Sequence, residues 1–186
     1  KNIPGSRLPF EAYPADAPLP WYVLLEVSSL HSEQAAQEVL EAVLSEALAD
    51  GMVQDAVISQ SLAQFEQLWA LRENISAAQS HEGKNIKHDI SVPISRIGEF
   101  IEAASRQLRQ AYPDAQLIVF GHLGDGNLHF NVAPHARFAQ RYDEAFAHDE
   151  ARVNRLVHDL VAAYEGAISA EHGIGVLRQA ELVRYK

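Results

Sequence analysis

An α+β fold, with an antiparallel or mixed sheet and helices packed on one face, is what this sequence predicts. Three observations carry that expectation. Short segments of strand length alternate with longer segments of helical periodicity. One neighbouring pair of strand segments, at 116–123 and 128–133, is joined through Asp125-Gly126. Asp-Gly between alternating apolar residues is the strongest short-range hairpin signal. No Gly-x-Gly-x-x-Gly and no P-loop stands between a strand and a helix, so no phosphate cradle of the parallel-sheet kind is indicated. The order of elements suits a ferredoxin-like unit or an elaboration of one.

Each element has its own signal. Residues 1–20 hold five of the eight prolines and read as an extended arm or linker. Residues 21–28, Trp-Tyr-Val-Leu-Leu-Glu-Val-Ser, are rich in β-branched and aromatic side chains and predict a strand. In 32–49, Ala36, Val39, Leu40, Val43, Ala47 and Leu48 recur on one helical face, and Asp50-Gly51 ends the helix. Residues 53–59 predict a short strand. Ser61 with Gln64 forms a capping box for a helix to about residue 78. Residues 86–92 alternate as a strand that Pro93 ends, and 94–111 predict a helix with Ile94, Ile97, Phe100, Ile101, Ala104 and Leu108 inward. The hairpin follows, then a long charged helix over 138–164 and a last helical piece.

Bulk composition narrows the function. The 186 residues suit one domain, with residues 21–186 forming it, and a chain of this length buries about 70% of its unfolded surface. A net charge of −10 without a basic patch excludes a nucleic-acid partner. No apolar run approaches the roughly 20 residues that a membrane-spanning helix needs. No signal peptide is visible, and the absence of cysteine removes disulfides and thiolate chemistry and fits a cytoplasmic setting. The chain opens on Lys1 rather than Met, which leads us to expect a fragment.

Two phrases concentrate the chemistry: Gly-His-Leu-Gly-Asp-Gly-Asn-Leu-His-Phe-Asn at 121–131, and Ser-Ala-Glu-His-Gly-Ile-Gly at 169–175. If Asp125-Gly126 is a two-residue turn, His122 lies directly opposite His129. Opposed Cβ atoms are then about 4.5–5.5 Å apart, close enough for two imidazoles to share one metal. Glu171, arriving from elsewhere, completes a set of two histidines and a carboxylate with open positions, the pattern of catalytic metals. Asn131 shares the face of His129 by period-two alternation. His172, between Glu171 and Gly173, is either a general base facing a substrate or a structural histidine. Arg72 is either ion-paired with Glu66 or Glu73 on a helix surface, or a fork for a substrate carboxylate. Lys87, Asp89 and Ser91 share one strand face, opposite His88 and Ile90, and that face reads as solvated. His31, His81, His135, His148 and His158 have no paired spacing and are expected at the surface. On residues alone, a metal-dependent hydrolase built on two histidines and a glutamate stays open, and so does a non-catalytic metal- or partner-binding domain.

These phrases, with Leu-Trp-Ala-Leu-Arg-Glu at 68–73 and Lys-His-Asp-Ile-Ser-Val-Pro at 87–93, resemble the C-terminal domain of FAD-linked oxidases acting on 2-hydroxy acids. That group includes glycolate oxidase subunits, D-lactate dehydrogenases and D-2-hydroxyglutarate dehydrogenases. The resemblance implies a substrate-binding or cap domain that closes over FAD, with most of the FAD held by an N-terminal domain outside this chain. It implies a divalent metal, zinc for preference, on His122, His129 and Glu171. Arg72 and Lys87 match positions that hold the substrate carboxylate. Asn131 and His172 match positions near substrate and flavin, with His172 accepting a proton while a hydride passes to FAD. The expected substrate is a small D-2-hydroxy acid.

Overall fold

The computed structural model describes residues 21–81, 84–134, 139–175 and 179–185. The expected arm at 1–20 lies outside them. The chain divides into two compact units, with the boundary between Ala78 and Gln79.

The first unit carries helices α1 (Glu33–Ala49) and α2 (Leu62–Glu73). Ser32 starts α1 by accepting the Ala35 N–H at 3.0 Å. Asp50-Gly51 ends it as expected: the Gly51 and Met52 N–H groups bond back to the Leu48 and Ala47 carbonyls. At α2 the Ser61 hydroxyl accepts the Gln64 N–H, and the Gln64 side chain reaches back to the Gln60 N–H at 2.6 Å. That is the capping box, shifted by one residue on its return arm. The helix expected to reach residue 78 stops at Glu73. Asn74 caps it, its side chain donating to the Ala70 carbonyl, and α3 (Ile75–His81) begins again. Asn offers the backbone such local alternatives, which is why it favours helix ends.

The two strands expected here, at 21–28 and 53–59, form no ladder among the described residues. High β-propensity describes a fit to a pleated surface between neighbours, and it makes no strand where no partner strand pairs. The predicted inner face of α1 shares that fate. Val39, Val43 and Leu48 are exposed, and α1 buries no residue.

The second unit carries β1 (Asp89–Ser91), α4 (Ile97–Ala111), β2 (Ala115–His122), β3 (Asn127–Pro134), α5 (Ala139–Ala163) and α6 (Gln179–Arg184). Its sheet is antiparallel in the order β1-β3-β2. Ile86 bridges Val132 in the register of β1 with β3, so pairing covers most of the strand expected at 86–92. The sequence β-α-β-β-α is the first five-sixths of a ferredoxin-like unit. A fourth strand would follow α5 and flank β1. A single bridge, Ser91 to Ala167, stands in that place. The α+β expectation therefore holds.

Alternation decides which face is dry. Ile86, Ile90 and Val92 with Leu128, Phe130 and Val132 point toward α4 and α5, where they meet Phe100, Ile101, Ala104, Leu108, Val153, Val157 and Val161. The α4 pattern matches expectation except at Ile94, which is 52% exposed. It lies in a short 3-10 turn, Ile94–Arg96, whose tighter winding takes it off the α-helical stripe. His158 also departs from expectation. It is fully buried, its ring 5.7 Å from that of buried His88, while His31 and His148 are exposed. His135 and the His81 side chain lie outside the described residues. His88 faces the Phe130 carbonyl through Nδ1 at 2.7 Å, and His158 Nδ1 meets Glu181 at 3.3 Å. Arg155 donates to the same Glu181, and Tyr185 donates to Asp159 at 2.6 Å, so α5 holds the C-terminal segment.

The end of α5 aims the next loop. Glu165 takes the left-handed conformation at φ 59°, a place that usually falls to glycine, while Gly166 takes the next position. A Cβ on Gly166 would stand 2.2 Å from the Ser91 carbonyl oxygen. The glycine thus serves close approach to β1, and Glu165 bears the strained φ. We expect Gly166→Ala to cost on the order of 3 kcal/mol in urea unfolding; an unchanged midpoint would show that β1 and the loop do not need this contact. Burial, then the hydrogen bond to Asp159 and its charge, raise the Tyr185 phenol above its ordinary 10.0, with Arg155 opposing. A raised phenol stabilises the fold below pH about 10, and that contribution is lost as pH rises through the folded value. Above pH about 10 the wild type should lose stability more steeply than Tyr185→Phe; parallel curves would refute the role.

Candidate metal and substrate site

The face of the sheet turned away from α4 and α5 carries the polar residues. Lys87, Asp89 and Ser91 come from the β1 segment, Asn127, His129 and Asn131 from β3, and Phe120 and His122 from β2. Register places Asp89 opposite His129, and His129 opposite Phe120. The Phe120 ring lies 4.8 Å from the imidazole at an interplanar angle of 36°, which restricts the tilt of His129.

Glu171 reaches this face from the loop after α5. The Ser91–Ala167 bridge brings the loop to the edge of β1. The Ala170 N–H then donates to the Asp89 carbonyl at 3.1 Å. The Glu171 and His172 N–H groups both donate to Asp89 Oδ2 at 2.9 Å. The Ser169 hydroxyl closes the turn by donating to the His172 carbonyl. Glu171 Oε1 accepts from Asn127 Nδ2, and its Oε2 lies 3.9 Å from His129 Nε2. On the other side of the ring, His129 Nδ1 lies 4.0 Å from Asp89 Oδ1.

Asp89, His129 and Glu171 thus each offer one ligand atom, all within 4.8 Å of one another. Two carboxylates and an imidazole suit a divalent cation of the zinc or manganese kind. Asp89 Oδ1 is buried and has no hydrogen-bond partner. A buried carboxylate oxygen left so is costly, and a cation or a ring N–H relieves it. The donor set and this orphaned atom fit a metal.

Structure and sequence expectation differ at the hairpin. His122 pairs with Asn127, not with His129. The connection is a four-residue loop, a 3-10 turn at Leu123–Asp125 closed by left-handed Gly126 at φ 68°. A Cβ there would stand 2.3 Å from the Val92 carbonyl oxygen, and the Gly126 carbonyl accepts the Val92 N–H. Docking on Val92 selects this loop over the two-residue turn. His122 remains on the same face, one diagonal step from His129, where Cβ separations are about 7–8 Å. It is exposed and stands outside the convergent group.

A cavity of about 230 Å3 adjoins the group and is lined by Lys87, Asp89, Ser169, His172, Gly173 and Ile174. Lys87 and His172 are therefore brought to one cavity. Asn131 is not among the lining residues. It is buried and donates to Gln79 Oε1 at 2.8 Å. Arg72 lies in the last turn of α2, in the first unit. Asp89 is the residue that sequence reasoning passed over. Its signal was present, since it alternates in phase with Lys87, but nothing in the sequence marked that face as paired with His129.

Comparison with known proteins bears on this geometry. Residues 7–186 match the family model for FAD linked oxidases, C-terminal domain. The chain belongs to that family. A D-2-hydroxyglutarate dehydrogenase of Stutzerimonas stutzeri is 39% identical over 89% of this chain and 34% of its own length. One from Xanthomonas citri pv. viticola is 38% identical over 92% of this chain and 36% of its own length. The mitochondrial D-2-hydroxyglutarate dehydrogenase of Rattus norvegicus is 36% identical over 84% of this chain and 27% of its own length. The chain spans about a third of the length of the bacterial relatives. Within this FAD linked oxidase domain, no helix of the described residues is long and apolar enough to cross a membrane.

Proposed function

We propose that this domain forms the substrate side of a flavin-dependent dehydrogenase that oxidises a small D-2-hydroxy acid to the 2-keto acid. The observation that carries it is the convergence of His129, Glu171 and Asp89 beside a cavity lined by Lys87 and His172. The FAD is held mainly by another domain of the same protein, and the names of the relatives favour D-2-hydroxyglutarate as the acid.

His129 and Glu171 would hold a divalent cation, with His122 on the same face as a further candidate ligand. Lys87 supplies the positive charge that retains the substrate carboxylate, and Arg72 is a second candidate for that work. The cavity of about 230 Å3 that Lys87 lines has room for a small acid. His172 takes the hydroxyl proton; an imidazole exchanges protons readily near neutral pH. Its backbone is fixed on Asp89, so the ring is offered from a rigid turn. Once bound, the metal supplies a Lewis acid and the flavin an oxidant for the substrate C–H bond.

The test uses the FAD-loaded protein and D-2-hydroxyglutarate without oxygen. Bleaching of the oxidised flavin absorbance is expected. The double variant His122→Ala/His129→Ala should lose bound metal, and its turnover should fall by about 100-fold or more. Lys87→Ala should raise KM more than it lowers kcat. Full turnover in a metal-free variant, or acyl-ester hydrolysis without flavin, would replace this reading.

A further inference from the structure

Asp89 is joined to both halves of the site at once. Its Oδ2 accepts two consecutive backbone N–H groups, from Glu171 and His172, at 2.9 Å each. Its own carbonyl accepts the Ala170 N–H. Three hydrogen bonds therefore tie the loop bearing the carboxylate ligand and the base to one residue of β1. Charge-assisted bonds from N–H to carboxylate are about twice as strong as neutral ones. With Oδ2 so occupied, the carboxylate cannot swing away, and Oδ1 is left pointing at His129 Nδ1 across 4.0 Å. That oxygen is buried and has no hydrogen-bond partner. The ring lies between two carboxylates, with Nδ1 toward Asp89 and Nε2 toward Glu171 at 3.9 Å.

We infer that Asp89 is a positioning residue: it pins Glu171 and His172 through Oδ2 and fixes the tautomer of His129 through Oδ1. A neutral imidazole carries its proton on one nitrogen only. With the proton on Nδ1, facing Asp89, Nε2 is the free lone pair that faces Glu171 and a shared cation. Closing the Asp89–His129 gap to hydrogen-bond length takes a shift of about 1 Å. Metal-binding histidines commonly pass their second N–H to a carboxylate in this way, and losing that partner weakens metal affinity about 10- to 100-fold. The inference rests on the metal reading of the site given above. It adds a residue that acts through Glu171, His172 and His129 and couples the loop to the sheet.

Asp89→Asn separates the two tasks. The amide oxygen still accepts the loop N–H groups, but the amide NH2 faces His129 and demands an acceptor at Nδ1. The proton then moves to Nε2, and the cation loses its site. Zinc affinity, measured by competition with a chromogenic chelator, should fall about 10- to 100-fold, while the melting temperature changes little. Nitrogen-15 NMR of the zinc-loaded wild type should show His129 protonated at Nδ1 and metallated at Nε2. Zinc on Nδ1, or wild-type zinc affinity in Asp89→Asn, overturns the role of Asp89 while leaving the site intact if His129→Ala abolishes binding. A wild type that takes up no zinc overturns both the site and this inference. The NMR measurement needs no variant, so a misfolded Asp89→Asn does not protect the proposal.

Discussion

Pairing between β1 and β3 sets the site, because it decides which residues of the 86–92 segment meet the solvent face. Asp89 stands opposite His129, and opposed Cβ atoms on an antiparallel pair are about 4.5–5.5 Å apart. A slip of one residue would turn Asp89 into the core and bring His88 out. Ile86 and Ile90 oppose such a slip, since both are buried, and full burial of such a side chain contributes about 1.5–3 kcal/mol. Moving a carboxylate into their place would add a penalty larger still. The dry face of the sheet thus holds the wet face in register.

On the wet face, like charges are brought together. Asp89 and Glu171 flank one imidazole, and two carboxylates this close attract a cation between them. Backbone and amide donors offset part of their charge: two N–H groups reach Asp89, and Asn127 reaches Glu171. Glu171 is about half exposed and Asp89 is mostly buried, so the field is strongest at the Asp89 end. A cation entering from the Glu171 side would meet a partly dehydrated socket whose geometry is already set.

Local signals carried much of this fold into the sequence. The inward face of α4, the Ser61 cap and the Asp50-Gly51 stop depend on neighbours within a turn or two, and each was legible. The strands at 21–28 and 53–59 were misread because a strand is a property of a pair, and propensity reports only one member. The hairpin register failed for a similar reason. Asp-Gly permits several loops, and the choice fell to Gly126 docking on Val92, a contact across about thirty residues. At the site, residue type and the two histidine phrases singled out His129, Glu171 and His172, whereas Lys87 read as part of a solvated face until the family resemblance drew attention to it. Asp89 was missed because its meaning comes from a loop about eighty residues away. His158 was misjudged because its burial depends on Glu181 and on the packing of α5 against the sheet.

Among the described residues, the outer border of β1 carries the Ser91–Ala167 bridge, and this has a further consequence. An outermost strand displays unsatisfied amides and carbonyls, an open template onto which another chain can zip. Here Ala167 and Ala170 occupy those groups on Ser91 and Asp89. The loop that bears Glu171 and His172 is therefore also the guard rail of the sheet. Loss of the anchors that hold it would uncover an aggregation-prone border at the same moment that it parts Glu171 from His129.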